Sequence, residues 1–244
     1  MPAQSQRTLD VALFAHLVSR PEDELDLAQT ALLIAEPEYP ELDIAAYLRD
    51  LDELAALARP RLDGVTDNSG RAVALVQFLL EDQGFSGNLD EYDDPRNSFL
   101  NEVLERRLGI PITLSLVILE VAQRLGIAMR GVSFPGHFLV DTAGPQPLLL
   151  DPFTGQPMGT AELSELLGRV YGQRRPPRPD ELQPASKHAI LLRMLHNLRN
   201  IYMRRGDSPR QRLAEERIRV LESAVRSLAS SSTAGGAGRP GVLH

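Results

Sequence analysis

Asn97-Ser98-Phe99-Leu100-Asn101-Glu102-Val103-Leu104-Glu105-Arg106-Arg107-Leu108-Gly109-Ile110-Pro111-Ile112-Thr113-Leu114-Ser115 reads as two helices meeting at a proline. Asn97 suits an N-cap, because its short side-chain oxygen accepts from a backbone N–H that the first turn leaves unpaired. The first helix then runs over residues 97–107, and Gly109 ends it, glycine being at ease in the left-handed backbone past a helix end. Pro111 opens a second helix at the position where a missing N–H is harmless and φ is already helical. From Ile112 to Leu125 apolar residues fall on nearly every side, with Leu114, Leu116, Val117, Ile118, Leu119 and Val121. A helix apolar all round belongs inside the molecule, so this one, closed by Gly126, is the expected centre of the fold.

Upstream, from Leu9 to about Leu80, apolar residues recur at three and four, as in Leu13 and Leu17 and again in Leu25, Leu27, Leu32 and Leu33, the period of amphipathic helices. Four helices are expected there, punctuated by Pro21, Pro37, Pro40 and Pro60, with Pro40 and Glu41 starting one of them. Residues 81–95, rich in Gly, Asn and Asp and without periodicity, read as a surface loop. Downstream, residues 129–134, 136–141 and 147–151 read as short strands bounded by Gly and Pro. Thr160 caps a helix to about Leu167, and residues 171–184 form a connector rich in Pro and Arg. Two helices follow, over residues 186–205 and from Ser208 with Pro209 in the first turn. The expected architecture is α+β: a helical N-terminal section (1–95), a core (96–170) with the central helix on a small antiparallel sheet, a helical pair (185–229), and a disordered tail rich in Ser, Thr, Ala and Gly (230–244).

Composition limits the chemistry. The chain of 244 residues contains no cysteine, so disulfides and thiolate metal sites are excluded. Its formal net charge of -7 argues against a nucleic-acid partner, which calls for a basic surface. The polar start, Met1 to Asp10, lacks the basic stretch and apolar run of a secretory signal. The most apolar stretch, residues 110–122, is too short to span a bilayer. A cytoplasmic protein without a membrane or nucleic-acid partner is expected, and no cofactor.

Two residues carry potential chemistry. The turn Thr142-Ala143-Gly144-Pro145 separates two apolar runs, and a hairpin symmetric about Gly144 sets His137 opposite Asp151. A carboxylate on one imidazole nitrogen fixes the tautomer and leaves the other nitrogen to exchange protons. Such a pair is two thirds of a thiol-enzyme triad without the thiol. Equally, it is a buried hydrogen bond that ties a hairpin together.

The opening stretch, together with Phe134-Pro135-Gly136-His137-Phe138-Leu139-Val140 and Leu150-Asp151-Pro152-Phe153, resembles the Sir B type transglutaminase-like proteins of bacteria. The resemblance covers most of the chain, from the leading helices through the final helical pair. In the wider transglutaminase-like and papain-like superfamily, it implies a cysteine at the start of the central helix, a histidine on one strand and an aspartate on the next. His137 and Asp151 match the last two, whereas the cysteine position falls on Pro111. The resemblance therefore implies the scaffold of an acyl-transfer enzyme without its reagent, a pseudoenzyme acting as a regulatory module that binds a protein or peptide partner. The alternative is a hydrolase or acyltransferase in which Ser115 or Thr113 is the nucleophile, His137 the base and Asp151 its orienter. Against that stands the ordinary behaviour of a serine early in a helix, whose hydroxyl bonds a carbonyl one turn back.

Other features carry less. Asn97 and Asn101 lie four apart, with Arg106 and Arg107 beyond. The family motif places these groups beside the histidine, where Asn97, Asn101, Arg107, Pro111 and Thr113 would line a binding site. Spacing alone makes Asn97 a cap, Asn101 a surface residue and the arginines solvated. The acidic run Asp90, Glu91, Asp93, Asp94 lacks calcium-loop spacing, and His16, His188, His196 and His244 lack the spacing that grips a metal on one helix face, so no metal is expected. Leu198, Tyr202, Gly206 and Ala214 partly follow a tetratricopeptide helix pair; a single such unit is read as a helical hairpin docked on the main body.

Overall fold

A computed structural model of the chain describes residues 11–144 and 147–234. The expectations for Met1 to Asp10, for Pro145 and for most of the tail lie outside the described residues. The first third is helical as read: residues 11–18 (α1), Leu27–Ala35 (α2), Ile44–Ala58 (α3) and Asn68–Gln77 (α4). Helix α3 does not begin at Pro40. Asp43 supplies the cap, its carboxylate accepting from Ala46 N, and Pro40 sits in the turns before it. A short π turn, Phe78–Asp82, leads into strand β1 (Ser86–Gly87), so the expected loop starts later than residue 81.

The opening stretch splits differently from its reading. Asp94 caps a 3-10 turn, Pro95–Ser98, and helix α5 (Leu100–Arg106) follows with Phe99 at its cap. Asn97 is not the N-cap, because Asp94, three residues earlier, already accepts from the first free amide, Arg96 N, and the Asn97 side chain is used elsewhere. Arg107 ends α5 in the left-handed conformation at φ 58°, and strand β2 (Leu108–Gly109) pairs in parallel with β1. Helix α6 (Pro111–Arg124) opens on Pro111 and is buried over eleven of its fourteen residues. Its one internal carboxylate, Glu120, is pushed up by burial and is held by Arg124 one turn on.

Strands β3 (Arg130–Val132), β4 (Leu139–Asp141) and β5 (Leu149–Leu150) form an antiparallel meander, shorter than the expected runs. Val140 faces Leu150 and Asp141 faces Leu149, so the hairpin centres one residue beyond Gly144. That displacement slips the pairing by two residues, which leaves every side chain on its intended face. Phe138 and Val140 turn to the main core, whereas Leu139 turns to a second cluster with Val132, Phe134, Leu163 and Leu167, as alternate strand residues must.

Helix α7 (Thr160–Tyr171) supplies Leu163 and Leu167 to that second cluster. It is capped by Gly159 and Glu162, the Gly159 amide donating to the Glu162 carboxylate, rather than by Thr160, and it extends four residues past Leu167. Helices α8 (Lys187–Arg205) and α9 (Ser208–Ala234) pack on each other as a hairpin across Gly206, whose φ is 68°. The tail was expected to lose order from Ser230, but α9 continues to Ala234. The main core joins Phe14, Leu32, Leu75, Leu114, Leu191 and Leu221 in one buried cluster. The fold is α+β, mostly helical with a small sheet, as the sequence implied.

Candidate functional site

His137 follows the turn Pro135-Gly136 and precedes β4. Gly136 has φ 71°, and a Cβ there would lie 2.3 Å from Val170 Cγ2, so this turn admits only glycine. Asp151 follows β5 at the head of a second tight turn, with the Gly155 amide donating to its carbonyl at 2.8 Å and its own amide donating to Gln156 O at 2.9 Å. The two side chains meet: His137 Nε2 lies 3.0 Å from Asp151 Oδ1, with 13% and 16% of the side chains exposed. They pair diagonally, both residues lying just outside the strands, rather than directly opposite as the symmetric hairpin required.

Asp151 Oδ1 also accepts from Phe153 N at 2.9 Å. Burial alone would raise this carboxyl, but the imidazole, the Phe153 amide and the Thr154 side chain outweigh it and hold it below the usual carboxylate range. Because Asp151 takes Nε2, Nδ1 is the nitrogen left to exchange protons. Among the described residues it has no hydrogen-bond partner. The Phe153 ring stands edge-on to the imidazole, with centroids 5.9 Å apart at 87°. The same ring lies against the backbone of Gly87, where a Cβ would come within 2.7 Å of it. Gly87 pairs with Gly109, two residues before Pro111. Phe153 thus links the imidazole, through Gly87 and its partner Gly109, to the start of α6.

Both candidate hydroxyls are buried. Thr113 Oγ1 accepts from Ile110 N at 3.1 Å and gives its one proton to Asn97 O at 2.7 Å, with Ile110 O at 3.1 Å as a second acceptor, so it caps α6. Ser115 is wholly buried, and its Oγ has no partner. It does not make the expected bond to a carbonyl one turn back.

The asparagines and arginines do not converge on the histidine through any hydrogen bond. Asn97, wholly buried, donates to Glu91 O at 2.7 Å and accepts from Asn88 Nδ2 at 3.0 Å. It shapes the loop before α5. Asn101 is 2% exposed, against the surface reading, and its Oδ1 is unpartnered. The Arg106 side chain is 20% exposed beside Asp94 and Glu102. Arg107 stacks over Phe85, Cζ lying 4.5 Å from the ring centre, and burial lowers its guanidinium.

One residue at the site had no sequence signal. Arg193 of α8 reaches back to the turn before β4, donating to Ser133 Oγ at 3.0 Å, Phe134 O at 3.3 Å and His137 O at 3.1 Å. Among the described residues it makes no salt bridge, and burial lowers its guanidinium. The C-terminal hairpin therefore fixes the backbone that carries His137.

Residues 45–196 match the sequence pattern of the transglutaminase-like superfamily. The chain is similar to a UPF0162 protein of Xylella fastidiosa strain Temecula1, 41% identical over 198 residues that cover 78% of this chain and 69% of the relative. It is also similar to UPF0162 proteins of Pseudomonas aeruginosa, 40% identical over 74% of this chain and 66% of that one, and of Vibrio cholerae, 30% identical over 75% and 68%. A shorter stretch of 66 residues is 42% identical to human F-box only protein 21, covering 27% of this chain and 10% of that protein. No solved structure is significantly similar.

Proposed function

We propose a function from one premise: the chain belongs to the transglutaminase-like superfamily. On our reading it is a non-catalytic member, of the Sir B type, that acts in the bacterial cytoplasm as a regulatory module by binding a protein or peptide partner. The His137 surface and the tetratricopeptide-like hairpin α8–α9 are the candidate contact faces. Among the described residues no helix is long and apolar enough to cross a membrane, which is compatible with that setting.

The observation that carries the reading is the start of α6. Acyl transfer needs a nucleophile beside the imidazole. Pro111 has no reactive group, the Thr113 proton is committed to a backbone carbonyl, and Ser115 has no exposed surface through which to meet a substrate. Phe153 packs against the imidazole. What remains is a histidine–aspartate pair that holds a hairpin and shapes a surface.

A hydrolase or acyltransferase using Ser115 is favoured by two observations, the unpartnered Ser115 hydroxyl and the free Nδ1. Treatment with a fluorophosphonate probe separates the two readings. The non-catalytic reading expects no labelling in the wild type. Labelling that vanishes in both Ser115→Ala and His137→Ala would overturn it. A merely packed Ser115 makes a further demand. An unpaired buried hydroxyl costs about 1–3 kcal/mol, so Ser115→Ala should raise stability, by about 1 kcal/mol in urea unfolding.

A further inference from the structure

Residues 89–96 form a loop that is fixed yet displays apolar side chains. Leu89 is 75% exposed and Tyr92 46%. Here the backbone is tied at several points. Asn88 Oδ1 accepts from Glu91 N at 3.0 Å. The buried Asn97 amide donates to Glu91 O at 2.7 Å and to Tyr92 O at 3.3 Å. Asp93 is bound by Arg204 of α8 at 2.6 Å. Two buried asparagines are thus spent on presenting two exposed apolar residues. The loop and Arg205, at the end of α8, border an open cavity of about 730 Å³.

The charges beside it are uneven. Asp93 and Asp94 are matched by Arg204, Arg96 and Arg106. Among the described residues Asp90 has no ion-pair partner, and Glu91 has a distant one, Arg96 at 3.9 Å. Both acids follow the exposed Leu89 directly in the chain.

We infer that the 89–96 loop and the adjoining end of α8 are a docking surface for a protein segment that presents an apolar side chain between basic ones. The inference deepens the binding-module reading and rests on it. A loop already held in its bound shape loses little freedom on association, and an exposed aromatic beside arginines is the composition of interface anchors. Asp90 and Glu91 select the sign of the partner's charge. The surface is joined to the His137 turn through α8, which holds Asp93 by Arg204 and the His137 carbonyl by Arg193.

The test uses the full chain and two pools of short fluorescein-labelled peptides, each with a central leucine, flanked by arginine in one pool and by glutamate in the other. The arginine pool is expected to bind, about tenfold more weakly to Leu89→Ser and to the Asp90→Asn, Glu91→Gln double variant. Its binding should fall with added salt. Leu57→Ser, at another exposed leucine, on α3, is the control and should bind as wild type. Equal binding of the glutamate pool, indifference to Leu89→Ser, or no binding of either pool at millimolar concentrations would each overturn the surface. The fluorophosphonate experiment on the same preparation keeps the two failures apart. Absent labelling with failed peptide binding removes this surface alone, whereas Ser115-dependent labelling removes the non-catalytic reading itself.

Discussion

Asp151 gathers two donors, the His137 imidazole and the Phe153 amide, on a single oxygen. A carboxyl whose native-state value lies below its unfolded value adds stability that is present above the unfolded value and is lost as pH falls through the native one. The direction at Asp151 is downward, so this contribution is intact at neutral pH and disappears on acidification below about pH 4. Urea midpoints measured on both sides of that value should fall in the wild type and fall less in Asp151→Asn. At neutral pH, His137→Ala should cost about 1–3 kcal/mol, because it strips a largely buried carboxylate of its ring donor. An unchanged acid limb in Asp151→Asn would show that the pair contributes nothing to the fold. Ser115 and Asn101 stand in the opposite condition, buried with an unpartnered oxygen, and the sequence gives no hint of either, since an unmade hydrogen bond has no motif.

Between elements, the grip of α8 on the turn before β4 ties the site to the C-terminal hairpin. Arg193→Met should cost about 1–3 kcal/mol and shift the His137 ring resonances in NMR spectra, and Arg193→Lys should restore neither fully, because a point charge cannot reproduce the guanidinium fork. Unshifted ring resonances in the methionine variant would mean that α8 merely lies beside the turn. Arg193 was invisible in the sequence because its partners are 56 to 60 residues away and two of them are backbone carbonyls. Elements with a strong local signal were legible: α6 by its all-round apolar run, and α9 by Pro209 in its first turn. Asn97 resembles a cap because it is an asparagine before an apolar run, whereas Phe99 stands at the cap of α5 and Asp94 caps the turn before it. The meeting of His137 with Asp151 was legible, but its register was not, since Gly144 is an apparent and not an actual centre. Nothing local could announce that Phe153 rests on Gly87, a contact across 66 residues.

At the scale of the molecule, side chains of α1, α2, α4, α6, α8 and α9 share one buried cluster. Helices so interlocked should unfold together. Far-ultraviolet circular dichroism and tyrosine fluorescence, the chain having five tyrosines and no tryptophan, should follow coincident transitions in urea. Two separated transitions would show that the helical hairpin folds by itself. The short parallel pairing of β1 with β2 has a consequence of its own. Ser86 N bonds Arg107 O at 2.8 Å, and Asn88 N bonds Gly109 O at 3.0 Å; these two bonds close the neck of a ring of chain that contains the 89–96 loop, α5 and the residues leading to Pro111. Inside that ring Leu100, Val103 and Leu104 of α5 are part of the main core, so the ring opens only as far as that packing loosens. Opening it would withdraw Gly87 from beneath Phe153 and free the ring beside His137, so that whatever tightens or loosens this neck also sets how often the imidazole is uncovered.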